Sequence, residues 1–497
     1  MNHRVHMSAY PNRKYQIALF LLFLTLYVLT LKGICTGDNV FHYERIQNII
    51  KRGRLTMPEG KYDFAKQRWL RVFMAEGRDG KLYLTLGDGL SIAALPFALV
   101  GNIIERAVDV SAYESKIGES APKLNLLYLR KLPSAFFTAL VNPFVMALTL
   151  LIFFNFCLRI EGGVGSAFFA SALLGIGTIL WPYSSTFWTQ PIVTLCLFSA
   201  FYCVFLYKKH SKPKFLLFAG ALLGYSFITR YVSIISVPWF ILYLVLIHWR
   251  EKKRIPGAVG LLVSSFALFF LLQMGWNWYR FGSPLNMGAK HQAFLRFSFR
   301  GKPYISLPAM LVGLNKSIFV FSPPLVLGLF GAKKFIQRYR VEAVLLLGII
   351  FAYLAFYSKF SFWSSPASWG PRFLVPIIPF LLLPVCLFIN GVKWKKVLTY
   401  ALLTAGVIIQ LIAVLLPPQI GAIDEYFGGT PKTVDYFGKS EIIPQAKMLL
   451  PGNVELWFLD SIPKLVVGLI LIVVCIASAY YCIHQIKFQP SEDVDGS

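Results

Sequence analysis

The sequence predicts an all-α fold: a polytopic membrane bundle of about twelve spans with a long, partly helical first external loop. Three observations predict it. Of 497 residues, 56% are hydrophobic and only 14% are charged. The apolar residues come in runs of roughly 17–25, the length that crosses a bilayer core, and backbone at that depth satisfies its polar groups by forming helix. The Lys and Arg residues behind the net charge of +26 sit mostly in short loops between those runs. That placement signals membrane topology, so a nucleic-acid partner is set aside.

The elements follow in order. Arg4, Arg13 and Lys14 precede the run Tyr15–Leu31 with no small-residue cleavage site, which predicts an uncleaved first span and a cytoplasmic tail over 1–14. Spans are expected at about 15–33, 133–157, 164–182, 191–207, 214–229, 232–249, 257–275, 318–332, 342–358, 373–390, 397–416 and 464–484. The further apolar segment Leu90–Ile104 is about fifteen residues long, contains Pro96 and ends in Gly101-Asn102. That is short for a span and usual for an interfacial helix. Charge parity decides it. With the N-terminus inside and this segment not crossing, Lys208/Lys209/Lys212/Lys214, Arg250/Lys252/Lys253/Arg254, Lys333/Lys334/Arg338/Arg340 and Lys393/Lys395/Lys396 all fall in the cytoplasm; a crossing would put all four clusters outside.

The chain thus divides into a transmembrane core over 15–390, which includes the external loop 34–131, and C-terminal spans over 391–484 with an external loop at 417–462. A cytoplasmic tail over 485–497 is expected to be disordered, with Ser491-Glu492-Asp493-Val494-Asp495 in it. Further external pieces lie at about 276–316 and 359–372. All seven cysteines except Cys35 fall inside apolar runs, and none makes a CxxC or Cys/His spacing, so neither a zinc site nor a disulfide framework is indicated.

Chemistry is expected in the first external loop. Asp38 follows the first span and starts a helical pattern marked by Phe41, Ile46, Ile49 and Ile50. A carboxylate at the mouth of a membrane cavity is a functional candidate, although Asp before a helix is also a good N-cap. His42 and Glu44 are weaker candidates, since an exposed pair on a solvated amphipathic helix accounts for them. The same loop carries Lys51, Arg52, Arg54, Lys61, Lys66, Arg68 and Arg71 with Trp69 and Phe73 between them, then the turn-rich stretch Lys81 to Gly89 with Tyr83 and Asp88. A basic surface on anionic headgroups and a pocket for a lipid phosphate both fit this composition. The external loop from Asn277 to Lys316 holds Arg280, Lys290, His291, Arg296, Arg300, Lys302 and Lys316 and no acid. A basic loop on the outer side runs against the topological trend, and an anionic ligand there is the simplest reason. Arg230 and Arg372 end and begin spans at the outer side; each either snorkels to the interface or meets an anionic group at headgroup level.

Taken together, these pieces resemble the GT-C superfamily of membrane glycosyltransferases, nearest to the branch of the aminoarabinose transferases of lipid A and the protein O-mannosyltransferases (family 39-like). Gly37-Asp38-Asn39 stands where that family has an acidic motif after its first span. Tyr43-Glu44-Arg45-Ile46 with Gly53-Arg54-Leu55 resembles its tyrosine-containing helix and closing glycine. Lys81 to Gly89 with Leu95-Pro96-Phe97 resembles the entry to its interfacial helix, and Arg130-Lys131-Leu132-Pro133-Ser134 resembles the opening of its second span. Leu223 to Arg230 resembles the end of its fifth span. Phe281-Gly282-Ser283-Pro284-Leu285, Phe321-Ser322-Pro323-Pro324 and Trp369-Gly370-Pro371-Arg372 resemble a large set of bacterial members. The resemblance covers about residues 15–390. Two positions depart from it: Asn39 replaces a second acid, and Gln190-Pro191 replaces an acid-proline pair.

The resemblance implies an inverting glycosyltransferase acting on the outer face of a cell membrane. Its partners would be a polyprenyl-phosphate-linked sugar donor and a lipid, glycan or protein acceptor. Asp38 would be the general base, with Lys81, Tyr83, Arg230, Arg280 and Arg372 binding substrate or phosphate, and Glu44, Asp88 and His42 as secondary candidates. No cofactor is implied with certainty, and the resemblance leaves room for a divalent metal. Two other classes remain. A lipid or polysaccharide transporter or flippase would need coupling sites at mid-membrane, where the spans hold almost no ionisable residue. A non-catalytic subunit of an envelope complex would suit the departures at Asn39 and Gln190.

Overall fold

A computed structural model describes residues 13–34, 37–61, 73–110, 131–161, 163–288, 299–365, 368–389, 393–416, 437–438, 440–450 and 454–487. Lys66, Arg68, Trp69, Arg71, Arg130, Lys290, His291, Arg296 and Cys35 lie outside the described residues, as do the distal part of the tail at 485–497 and most of the loop at 417–462.

The first helix is α1 (Arg13–Leu29), and the second is α2 (Gly37–Arg52). A small antiparallel hairpin follows, β1 (Met74–Glu76) with β2 (Leu82–Leu84), in the register Met74 opposite Leu84. Next come α3 (Gly89–Ala107), α4 (Pro133–Ala139), α5 (Val141–Glu161), α6 (Val164–Ile176), α7 (Leu180–Ser184), α8 (Gln190–His210) and α9 (Lys214–Thr229). A 3-10 turn over Tyr231–Ser236 opens α10 (Val237–Ile247), followed by α11 (Ile255–Phe281), α12 (Pro303–Val312), α13 (Ile318–Phe321), α14 (Leu325–Arg338) and α15 (Arg340–Ser358). After the 3-10 stretch Arg372–Ile377 come α16 (Ile378–Leu382), α17 (Lys393–Leu415), α18 (Ile442–Leu449) and α19 (Ile462–Lys487).

Each expected span coincides with a helix or a broken run of helix, and the protein is a multi-pass membrane protein with a polytopic helical fold. The breaks have local causes. Gly177 and Pro182 divide the third span between α6 and α7. Pro376, Pro379 and Pro384 cut the tenth into 3-10, α and 3-10 pieces, since each proline removes a backbone donor and crowds the preceding turn. The dense core lies among α1, α5, α6, α8, α9 and the broken tenth span, where Phe153, Phe156, Phe198, Phe201 and Phe380 pack edge to face or tilted. By contrast, α11 and α19 are each only 17% buried over their most apolar stretch, as helices facing lipid are.

Seven described helices are long and apolar enough to cross a membrane, and α3 is one of them. It runs for 19 residues, longer than the segment of about fifteen expected at Leu90–Ile104, so its length no longer argues against a crossing. The charge-parity argument is unaffected. The helix is two-faced. Leu90, Ala94, Ala98 and Gly101 are buried, largely against α4, whereas Ile92, Leu99, Val100 and Ile103 are exposed.

Candidate active site

The site starts with α2. Of the expected stripe, Phe41 and Ile46 are buried and Ile49 and Ile50 half-buried, and the buried face extends beyond it, for Asn39, His42, Tyr43, Arg45 and Asn48 are buried as well. The reading of His42 and Glu44 as an exposed pair on a solvated helix therefore fails, with His42 1% exposed and Glu44 11%. Polar residues face inward because the turn at 87–89, α3 and the start of α4 pack against this helix and supply partners from Asp88, Ser91 and Ser134. Tyr43 meets the Ser134 hydroxyl at 2.6 Å, and the Ser134 N–H donates to Glu105 at 2.9 Å. Two of the motif segments singled out in the sequence thus touch each other.

Asp38 sits in the first turn of α2, where the helix dipole favours a carboxylate. Its Oδ2 lies 3.6 Å from Nη1 of Arg372. The Arg372 guanidinium contacts two rings, with Trp188 at 4.3 Å and Phe373 at 4.8 Å from its central carbon. Arg230 approaches the same Phe373 ring at 5.2 Å and donates to the Thr189 hydroxyl at 3.3 Å. Asp38, Arg230 and Arg372, far apart in the chain, are brought together, Arg372 pairing with Asp38 and sharing the Phe373 ring with Arg230.

Backbone packing places Arg230. A Cβ on Gly87 would lie 2.2 Å from the Thr229 carbonyl oxygen, and one on Gly89 would lie 1.9 Å from the Thr229 hydroxyl. Only glycine at these positions lets the turn at 87–89 nest against the end of α9. His42 is fixed from α3, its Nδ1 3.0 Å from the Ser91 hydroxyl. Burial, then the charges of Arg45 and Arg230, hold its imidazole well below the usual histidine value, so it is neutral. Asp88 pairs with the buried Arg45, and Glu44 with Lys61 at 2.6 Å. Burial pushes the Glu44 carboxyl upward against the pull of Lys61.

Lys81, Tyr83 and Arg280 form a neighbouring group on the hairpin. Lys81 is half exposed and 3.8 Å from Asp79, to which the Tyr83 hydroxyl donates at 3.0 Å. Arg280 is 1% exposed, donates to the Leu84 carbonyl at 2.8 Å and to Asn277 at 2.7 Å, and faces the Trp276 and Phe281 rings. In this arrangement Arg280 ties α11 to the hairpin. The chain of bonds continues through Asn277 and Gln273 to the hydroxyl of Tyr231, beside Arg230.

Sequence reasoning missed Trp188, Thr189 and Glu441. Trp188 and Thr189 directly precede Gln190-Pro191, a polar-aromatic opening to a span that could have drawn notice; Glu441 gave no local signal. A narrow crevice beside Arg230 is lined by Gln190, Tyr353, Tyr357 and Phe373. Around Asp38, Arg230 and Arg372, the buried donors that lack a hydrogen-bond partner among the described residues include the side-chain amides of Asn39 and Gln190 and Nε of Arg372; Nε2 of His42, Nε and Nη2 of Arg45, and the acceptors Oε2 of Glu44 and Oδ2 of Asp88 lack one as well. Buried donors without acceptors point to a missing acceptor-rich ligand or water. Among the described residues no three His, Cys, Asp or Glu side chains gather to hold a metal. What the arrangement can do is bind an anion with two guanidinium groups and present one carboxylate beside it.

No family model matches the chain, and no curated protein sequence does. Solved structures do. The crystal structure of ArnT from Cupriavidus metallidurans bound to undecaprenyl phosphate superposes with a TM-score of 0.52 at 13% identity, over 95% of this chain and 74% of that one. The same protein in the apo state gives 0.48 at 13% identity, again over 95% and 74%. The apo oligosaccharyltransferase of Archaeoglobus fulgidus gives 0.42 at 12%, over 85% and 57%. The first of these likenesses extends over nearly the whole chain, and it shows that the protein has the fold of ArnT.

Proposed function

We propose that the protein is an inverting glycosyltransferase that moves a sugar from a polyprenyl-phosphate-linked donor to an acceptor hydroxyl of the cell envelope, on the outer face of the membrane. One observation carries this reading: a carboxylate, Asp38, beside an arginine that contacts two aromatic rings, within the fold of ArnT. ArnT binds undecaprenyl phosphate in its crystal structure, and polyprenyl phosphate is what such a transfer would release.

The chemistry follows from the residues. No nucleotide sugar is available outside the cytoplasm, so the donor must carry its activation as a lipid phosphate. The acceptor hydroxyl attacks the anomeric carbon and its proton passes to the Asp38 carboxylate. The bond from that carbon to the phosphate oxygen breaks with its electron pair on oxygen. Arg372 and Arg230 stabilise the charge that develops there. Before the donor binds, Arg372 is paired with Asp38; a phosphate drawing the guanidinium toward itself frees the carboxylate to act as base. The unpartnered amides of Asn39 and Gln190 supply further donors to the sugar or phosphate. The test is a membrane assay of sugar release from a radiolabelled polyprenyl-phosphate donor. Transfer to an acceptor supports the reading, and movement of intact lipid across the membrane without transfer would replace it with a transporter.

A further inference from the structure

The turn at 368–372 that delivers Arg372 is held at nearly every residue. Lys316 Nζ donates to the Ser368 carbonyl. The Tyr183 hydroxyl donates to the Trp369 carbonyl at 2.9 Å, and the Trp369 indole N–H donates to Gln410 at 3.2 Å. The Gly370 N–H donates to Glu441 Oε1 at 2.8 Å, and Glu441 Oε2 lies 2.7 Å from Lys316 Nζ. Gly370 has φ +56°, and a Cβ there would lie 2.9 Å from the Phe321 ring. The Arg372 N–H closes the turn onto the Gly370 carbonyl at 3.0 Å.

Two of these partners are ionic and almost fully enclosed. Lys316 is 3% exposed and Glu441 1%, so this is the one buried Lys–Glu pair among the described ion pairs with both members below a tenth exposed. A buried pair gives little net stability against an apolar substitute, and its retention calls for another reason. Here each ion also holds one backbone group of the turn: Lys316 the Ser368 carbonyl, Glu441 the Gly370 N–H. The two residues come from segments 125 positions apart (441 − 316), and the Arg372 side chain leaves the turn two residues beyond Gly370.

We propose that Lys316 and Glu441 are positioning residues that set Arg372 against Asp38 by clamping the turn at 368–372 from both sides. The inference rests on the reading of Arg372 as a phosphate ligand. With the clamp in place the guanidinium stands against Trp188 and Phe373, ready for a phosphate. With the clamp open, Gly370 relaxes from its left-handed conformation and the arginine loses its register against the rings.

The test is a double-mutant cycle read by the binding of undecaprenyl phosphate to the purified full chain in nanodiscs. Arg372→Gln alone is expected to weaken binding at least tenfold. Glu441→Gln alone should do nearly the same, because it acts through Arg372, yet it should change binding by less than twofold when Arg372→Gln is already present. An equal loss in both backgrounds means that Glu441 merely stabilises the fold, and overturns the proposal. So does unchanged binding in Glu441→Gln while Arg372→Gln is impaired. Because Glu441→Gln strands a buried ammonium, Lys316→Met/Glu441→Met, which removes both charges together, is carried through the same cycle with the same expected pattern. If Arg372→Gln binds like the wild type, the reading of the phosphate site has failed, and the clamp fails with it; that result is distinct from the two that overturn the clamp alone.

Discussion

Two lysine–glutamate pairs mark the two ends of the bundle, and they are built differently. α8 connects the ends: Gln190 at its start lies in the crevice beside Arg230, and Lys208 near its finish meets Glu342 at 2.7 Å. Glu342 is 1% exposed, but Lys208 is 43% exposed, and among the described residues the further partner of that carboxylate is the Tyr243 hydroxyl at 3.1 Å. At the other end Lys316 and Glu441 are both enclosed and both bonded to the turn that carries Arg372. The same pair of side chains thus serves as a half-solvated fastening between α8 and α15 in one place and as a closed bracket around functional backbone in the other. The lesson is that a buried acid becomes informative through what else it holds.

The sharpest way to break the comparison is at the site itself. Asp38→Asn should leave the fold nearly intact, since losing a charge from a first turn costs about 0.3–1 kcal/mol, while transfer falls by the roughly 10²–10⁴-fold typical of lost acid–base catalysis. The rate of sugar transfer measured beside the thermal midpoint decides it; a wild-type rate would move the base elsewhere. Arg372→Lys keeps the charge but not the flat guanidinium that contacts two rings, and transfer should drop by about 10²-fold, the scale of losing one oxyanion donor. A loss below threefold would mean that charge alone suffices.

Stability separates the two ends next. Glu441→Gln should cost about 3–5 kcal/mol, as expected when one member of an enclosed pair is removed. Lys208→Met should cost about 0–1 kcal/mol, because its ammonium is largely solvated. Denaturation of both variants in one detergent checks the ranking, and equal costs would erase the distinction drawn here. The smallest effect concerns His42. Its imidazole is neutral in the folded chain, and an unfolded histidine takes up a proton near pH 6.5. The unfolded state therefore binds more protons below that pH, so this contribution to stability is complete above about 6.5 and is lost as the pH falls. Thermal midpoints at pH 7.5 and 5.5 should differ more in the wild type than in His42→Gln.

Much of this was legible in the chain. Runs of apolar residues marked where the apolar helices lie, and the prolines and glycines at 177, 182, 376, 379 and 384 mark where helices break. The order of the short motifs pointed to the GT-C fold, and the structure joins some of them directly, Gly87 and Gly89 against Thr229 and Tyr43 against Ser134. The partners of charged loop residues were not legible. Lys316 and Arg280 read as cations awaiting an anion because their loop has no acid, yet one is matched by Glu441 and the other by the Leu84 carbonyl and Asn277. Periodicity reports which face of a helix is buried; it carries nothing about which distant loop folds over it. For the same reason His42 read as exposed: an isolated helix shows its polar face, and the elements that pack against it lie farther along the chain.

The bracket at 368–372 also has a consequence for how the protein is made. Asp38 is synthesised 403 residues before Glu441 (441 − 38), which at usual translation speeds is roughly 20–80 s. During that interval Asp38, Arg230 and at last Arg372 enter the membrane without the acid that closes the turn around the arginine. The nascent protein would therefore carry an open, unready site until Glu441 arrives, and competence would be switched on by the synthesis of that residue. A ribosome stalled before residue 441 would hold an inserted bundle with every charged group of the Asp38–Arg372 pair present and its register still unset.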